Sequence, residues 1–182
     1  MIDKKYVFRY FIFITLTFCV FFSLNLKHSL AEKNNQENLK IFTGKWTNKC
    51  FEKDENTKKY CVLERAMFLD EKFEKRIVMM IFRTTENSDD ILLTIISPLG
   101  TLIPRGFNIS LDTKQLNEKP YGFSHCTQSG CYTSILIKKE KIEIFKKSKS
   151  LNLDYTLQNQ QKLNISLSLK DFTKAFDKIT KF

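Results

Sequence analysis

In the stretch LNISLSL (163–169) every second residue is leucine or isoleucine, with asparagine or serine between them. A period of two buries one face and leaves the other in water, so Leu163, Ile165, Leu167 and Leu169 mark a half-buried strand. Runs with the same alternation, or with dense β-branched and aromatic content, recur at 41–51, 60–70, 75–83, 91–97, 106–112, 130–137 and 151–157. Turn-forming clusters separate them: DENTK, TTENSDD, SPLG, LIPRG and TQSG. Many short strands at this spacing, with few helical patterns between, predict an all-β chain, a β-sandwich or an open barrel.

Two segments depart from the pattern. In DFTKAFDKIT (171–180), Phe172, Phe176 and Ile179 recur at helical spacing, and Asp171 stands where an N-cap would satisfy the first free amides. A short C-terminal helix is expected there, with its aromatic face covering an opening of the sandwich. Residues 138–148 fit either a short helix or a charged strand.

The first 31 residues read as an address. Lys4, Lys5 and Arg9 precede an apolar run from Tyr10 to Leu26, and Ser29-Leu30-Ala31 places small residues at the −3 and −1 positions of a cleavage site. A bilayer crossing needs about 20 apolar residues, and this run is shorter, closed by Asn25, Lys27 and His28. The expected organisation is a cleaved signal peptide over 1–31, a flexible leader over 32–40, and one β-sandwich domain over 41–182. Membrane contact is then confined to the signal segment before cleavage.

Loss of the signal removes Cys19 and leaves Cys50, Cys61, Cys126 and Cys131. An even number in an exported chain argues for disulfides, and four cysteines allow three pairings. The local pairing, Cys50 with Cys61 and Cys126 with Cys131, is favoured. Each pair flanks a turn, and opposed hairpin residues lie within disulfide reach.

The whole sequence carries a formal charge of +10, and the part beyond residue 31 keeps 26 basic and 19 acidic residues. Its lysines are scattered and its arginines few, whereas nucleic-acid recognition favours clustered cations on one element. No nucleic acid is expected as partner. The densest basic run is KKEKIEIFKKSKS (138–150), ordinarily a solvated face, and Lys138, Lys139, Lys146 and Lys147 within it are candidate contacts for an anionic surface. Arg105, at the tip of the LIPRG turn, is the other candidate.

No catalytic set assembles in the sequence. A thioredoxin-type pair needs C-x-x-C at a helix N-terminus, and C-x₄-C in a hairpin has neither feature. Zinc would need unoxidised thiolates with His125, the single histidine after residue 31. A nucleophilic triad would need the same His125, and no G-x-S-x-G elbow occurs. The carboxylate pairs Asp70-Glu71 and Asp89-Asp90 fall in turn-like segments where solvation is the default. Trp46 reads as a core aromatic. No metal and no cofactor are expected.

Several pieces together resemble one family, the invasion-associated locus B proteins of Gram-negative bacteria. They are GKWTNKC (44–50) followed by Cys61, SPLGTLIPRGFNISLD (97–112), CTQSGC (126–131) and SLKDFTKA (168–175). The family usually has glycine before the phenylalanine of the last piece, where this chain has Asp171, one of the few residues that tolerate a left-handed position. The resemblance implies a compact β-sandwich exported to the periplasm or cell surface, with two local disulfides and no established catalytic residues. The expected function is a non-catalytic envelope protein that binds another envelope or surface component. The alternatives are an exported enzyme, using Cys126 and Cys131 for thiol–disulfide exchange or His125 for hydrolysis, and a periplasmic chaperone-like protein.

Overall fold

The computed structural model describes residues 40–51, 60–85, 88–112 and 114–180. The expected signal peptide (1–31), nearly all of the leader and most of the loop after Phe51 lie outside the described residues.

All the strands pair antiparallel, in two sheets. The larger holds β1 (Phe42–Thr43), β2 (Thr47–Phe51), β3 (Tyr60–Phe68), β4 (Arg76–Thr85), β5 (Ser88–Ser97), β8 (His125–Thr127) and β9 (Gly130–Ile137). Its order is β1-β3-β4-β5-β9-β8, and β2 shares with β1 the free side of β3, so 42–51 is one edge strand interrupted at Gly44, Lys45 and Trp46. The smaller sheet runs β11-β10-β6-β7, built from β6 (Phe107–Leu111), β7 (Lys114–Gln115), β10 (Ser150–Thr156) and β11 (Lys162–Ser168). The alternation at 163–169 is realised as read: Leu163, Ile165, Leu167 and Leu169 are buried while Asn164, Ser166 and Ser168 are exposed. The inner faces meet in a sandwich core of Leu63, Met67, Met80, Leu93, Ile109 and Leu151. Tyr155 of the smaller sheet donates its hydroxyl to the Ile77 carbonyl of the larger at 3.0 Å, and burial pushes that phenol well above its ordinary pKa.

Two helices, not one, accompany the sheets: α1 (Lys139–Lys147) and α2 (Phe172–Ile179). In α1, Ile142 and Phe145 are buried three residues apart while Ile144 is 47% exposed. A strand would have put Ile142 and Ile144 on the same face, so side-chain periodicity settles the segment as a helix. α2 buries Phe172, Ala175, Phe176 and Ile179. Around Phe82 of β4, the rings of Trp46, Phe145, Phe172 and Phe176 meet edge to face at 5.2–6.4 Å. This cluster binds both helices to the larger sheet.

Asp171 does not cap α2 as expected. Its backbone is left-handed (φ 63°), and its side chain makes no capping hydrogen bond. A side-chain cap requires an extended N-cap residue, which a left-handed one is not. The position is one a glycine would fill without strain.

Both disulfides are local. Cys50–Cys61 joins directly opposed residues of β2 and β3, and Cys126–Cys131 directly opposed residues of β8 and β9. Each ties an exposed cysteine on an outer strand to a buried one on the next strand inward. Closing such short loops contributes about 2 to 3 kcal/mol apiece in the chain-entropy model.

Candidate functional site

Residues 98–106 carry the chain from β5 in the larger sheet to β6 in the smaller, and they form a braced crossover. The Leu102 amide donates to Thr156 at 2.7 Å, and the Gln158 amide to Gly100 at 2.7 Å. Buried Thr101 donates its hydroxyl to the Pro98 carbonyl at 2.8 Å. Residues Ile103–Arg105 make one 3-10 turn, with Pro104 as its second residue and Gly106 at its end. Gly106 has φ 66°, and a Cβ there would stand 2.7 Å from the Tyr121 carbonyl oxygen, so only glycine fits. Phe107 and Tyr121 exchange backbone hydrogen bonds at 2.8 Å just behind it.

The turn holds Arg105 in solvent, and its guanidinium makes no hydrogen bond or ion pair with the described residues. Ile103 beside it is 41% exposed. The result is a rigid protrusion with one free cation and one apolar side chain.

The lysines of 138–150 are placed differently. Lys138 bonds Asp90 at 2.7 Å and Lys139 bonds Asp89 at 2.5 Å, which raises the pKa of both ammonium groups. Lys146 lies between Glu143 at 3.3 Å and Asp177 at 3.1 Å, over the Phe176 ring. These three hold α1 to β5 and α2, and only Lys147 of the named set stands exposed without an ion pair among the described residues. Three of the four lysines thus already have carboxylate partners, whereas Arg105 has none among the described residues.

The carboxylates read as solvated turn residues are also engaged. Asp89 and Asp90 belong to β5, because the β4–β5 hairpin extends further than the TTENSDD cluster suggested and takes a bulge at Thr84/Thr85. Asp70 accepts the Glu74 amide at 3.0 Å and the Lys75 amide at 2.6 Å, and these bonds, the one from Glu74 foremost, pull its pKa below the ordinary carboxylate value. His125 is exposed, stacked on Tyr132 at 4.7 Å, with Nδ1 3.0 Å from the Ser124 hydroxyl. Trp46 packs in the aromatic cluster as expected, with the Arg65 guanidinium 5.0 Å above its ring.

One feature is invisible in the sequence. Ala66, Met79, Ile96, Tyr132 and His125 are consecutive cross-strand partners on the face of the larger sheet turned away from the core. Over the first three of them lies a groove of about 670 Å³, walled by the 69–75 turn, the 98–99 segment and the 128–130 turn. Arg76 reaches across it, donating to the Ser129 carbonyl at 2.8 Å. No run of adjacent residues announces this site, because its floor comes from three strands and its walls from three turns.

Among the described residues, no group of three or more His, Cys, Asp or Glu could hold a metal ion, and no helix is long and apolar enough to cross a membrane.

A two-sheet antiparallel sandwich, stapled across two hairpins and closed by a pair of short helices, defines the class of protein. The model of the invasion associated locus B (IalB) protein family matches residues 46–180, and the chain belongs to that family. Its fold is similar to that in the crystal structure of invasion associated protein b from Bartonella henselae, at 19% sequence identity and a TM-score of 0.64. The match covers 76% of this chain and 95% of that one. No match is found among curated proteins.

Proposed function

We propose that the chain is an exported, non-catalytic envelope protein, in the periplasm or at the outer cell surface, that binds an anionic component of the cell envelope or surface. The observation that carries this reading is the exposed, unpaired Arg105 on its braced turn. A free guanidinium recognises a phosphate or carboxylate through two parallel hydrogen bonds, and the backbone that presents it is already ordered. The part beyond residue 31, with 26 basic and 19 acidic residues, carries a formal charge of +7, which favours the approach of such a partner. Export is supported by the signal-like start and by the use of all four cysteines beyond residue 31 in disulfides, which persist in oxidising compartments. The word invasion in the names of the family and of the similar structure belongs to those proteins, and entry into host cells is no part of the reading.

The test is a pull-down from the native envelope with the wild-type protein and with Arg105→Ala. A component retained by the first and lost by the second supports the reading. Equal retention by both contradicts it.

A further inference from the structure

The groove over Ala66, Met79 and Ile96 is flanked by two exposed large apolar side chains, Phe73 at 50% and Leu99 at 58%. Phe73 is held there at a cost. Its backbone is left-handed (φ 59°), a conformation that bulky side chains rarely adopt. The turn that imposes it is tightly bonded: Asp70 accepts the amides of Glu74 and Lys75 through its carboxylate, and the Leu69 amide donates to the Lys75 carbonyl at 3.0 Å. Phe73 also meets Phe68 edge to face at 5.1 Å. Backbone strain that displays an aromatic ring to solvent, fixed in one pose, is the pattern of a binding anchor.

The rim carries both signs. Glu74 and Lys75 are adjacent, exposed, and without ion pairs among the described residues, and Arg76 follows. An anionic ligand in the groove would meet Glu74, and a cationic one would meet Lys75 and Arg76. A two-fold related copy of the same surface would meet neither problem. It would set Glu74 of each copy against Lys75 of the other, and the projecting Phe73 and Leu99 of each over the concave floor of the other. Knob, hollow and both charges within one patch are what an isologous contact requires.

We infer that this groove is a self-complementary interface, occupied by a second copy of the chain. Arg105 does not line it, so the groove and the surface proposed above for an envelope component are tested by different substitutions.

Sedimentation equilibrium of the oxidised protein over a range of concentrations tests the inference. The wild type is expected to be a dimer that dissociates on dilution. Glu74→Lys alone and Lys75→Glu alone each place like charges at two symmetric contacts and are expected to weaken the dimer about tenfold. An equimolar mixture of the two variants restores opposite charges at both contacts, and a heterodimer of wild-type affinity is expected. Both positions are exposed, so unchanged thermal unfolding of each variant checks that the fold is kept. A monomeric wild type, variants that dimerise as it does, or a mixture that stays monomeric would each overturn the inference; a monomer whose groove holds another ligand belongs to the first of these. Arg105→Ala is expected to leave the dimer unchanged, so this result stands apart from the envelope pull-down.

Discussion

Arg65 and Asp70 show how much a single polar residue does in this fold. Arg65 donates to the Gly44 carbonyl at 2.8 Å and to the Ser168 carbonyl at 2.7 Å, joining the interruption between β1 and β2 to the end of β11 while it covers Trp46. Burial lowers its pKa, and the nearby Asp171 charge opposes that shift. Arg65→Ala is expected to cost about 2 to 3 kcal/mol in denaturant unfolding, because two carbonyls lose a charged donor. Lysine at this position is expected to recover less than half of that, since a point charge does not reproduce the guanidinium fork. Asp70 and Asp112 accept backbone amides, the first mainly from Glu74 and the second mainly from Ser150, and both carboxyls titrate below the ordinary value of 3.8. Carboxyls depressed in the folded state contribute stability above their unfolded pKa and lose it as pH falls through the folded one. Asp154 has the opposite sign: burial raises its pKa, and acid relieves its penalty. Thermal unfolding should therefore show stability falling as pH drops below 3.8, with a smaller drop in Asp70→Asn and Asp112→Asn than in the wild type.

Among the elements, the hairpins were legible in the sequence and the helical closure only partly. Alternation located β9 and β11 closely because one face of each is wet and the other buried. Cysteine spacing located the two staples, since export makes pairing the natural fate of thiols that flank a turn. β7 has two residues and β8 three, too short to set up a pattern, and the 138–148 segment hid a helix because Ile142, Ile144 and Phe145 suit either period. The groove was not legible, because register across β3, β4 and β5 is a tertiary property. Glycine substitutions separate local strain from close approach. Gly100 has φ 88° and open space around it, so Gly100→Ala is expected to cost about 1 kcal/mol from backbone strain. Gly130 has φ 132°, and a Cβ there would fall 2.2 Å from the Ser97 carbonyl oxygen. Gly130→Ala must push β9 from β5 beside the second staple, and is expected to cost well over about 2 kcal/mol in the same unfolding measurement. Phe82→Ala, which empties the centre of the ring cluster, is expected to cost about 3 to 5 kcal/mol.

At the scale of the whole molecule, the proposed export joins an oxidised sandwich to an exposed, unpaired cation on a braced turn. The address was read from charge and hydropathy alone, and N-terminal sequencing of the protein recovered from expressing cells is expected to begin at Glu32. Thiol titration of that species in denaturant is expected to find no reactive thiol, because Cys19 leaves with the signal and the other four are paired. Arg105 was singled out from the LIPRG turn. What the turn's composition did not reveal is the bracing by Thr156, Gln158 and Tyr121, which lie far along the chain. The lysines of 138–150 were candidates beside it, and their partners Asp89, Asp90 and Asp177 were likewise too remote in sequence to be seen. The most direct measurement is a binding titration of the oxidised protein against washed native envelopes at several salt concentrations, for the wild type, Arg105→Ala and Arg105→Lys. Saturable binding is expected that weakens with salt, falls about tenfold in the alanine variant and is partly kept by lysine, as the loss of one charge-assisted bidentate contact requires. Binding that is absent in the wild type, or equally strong in all three, would contradict it.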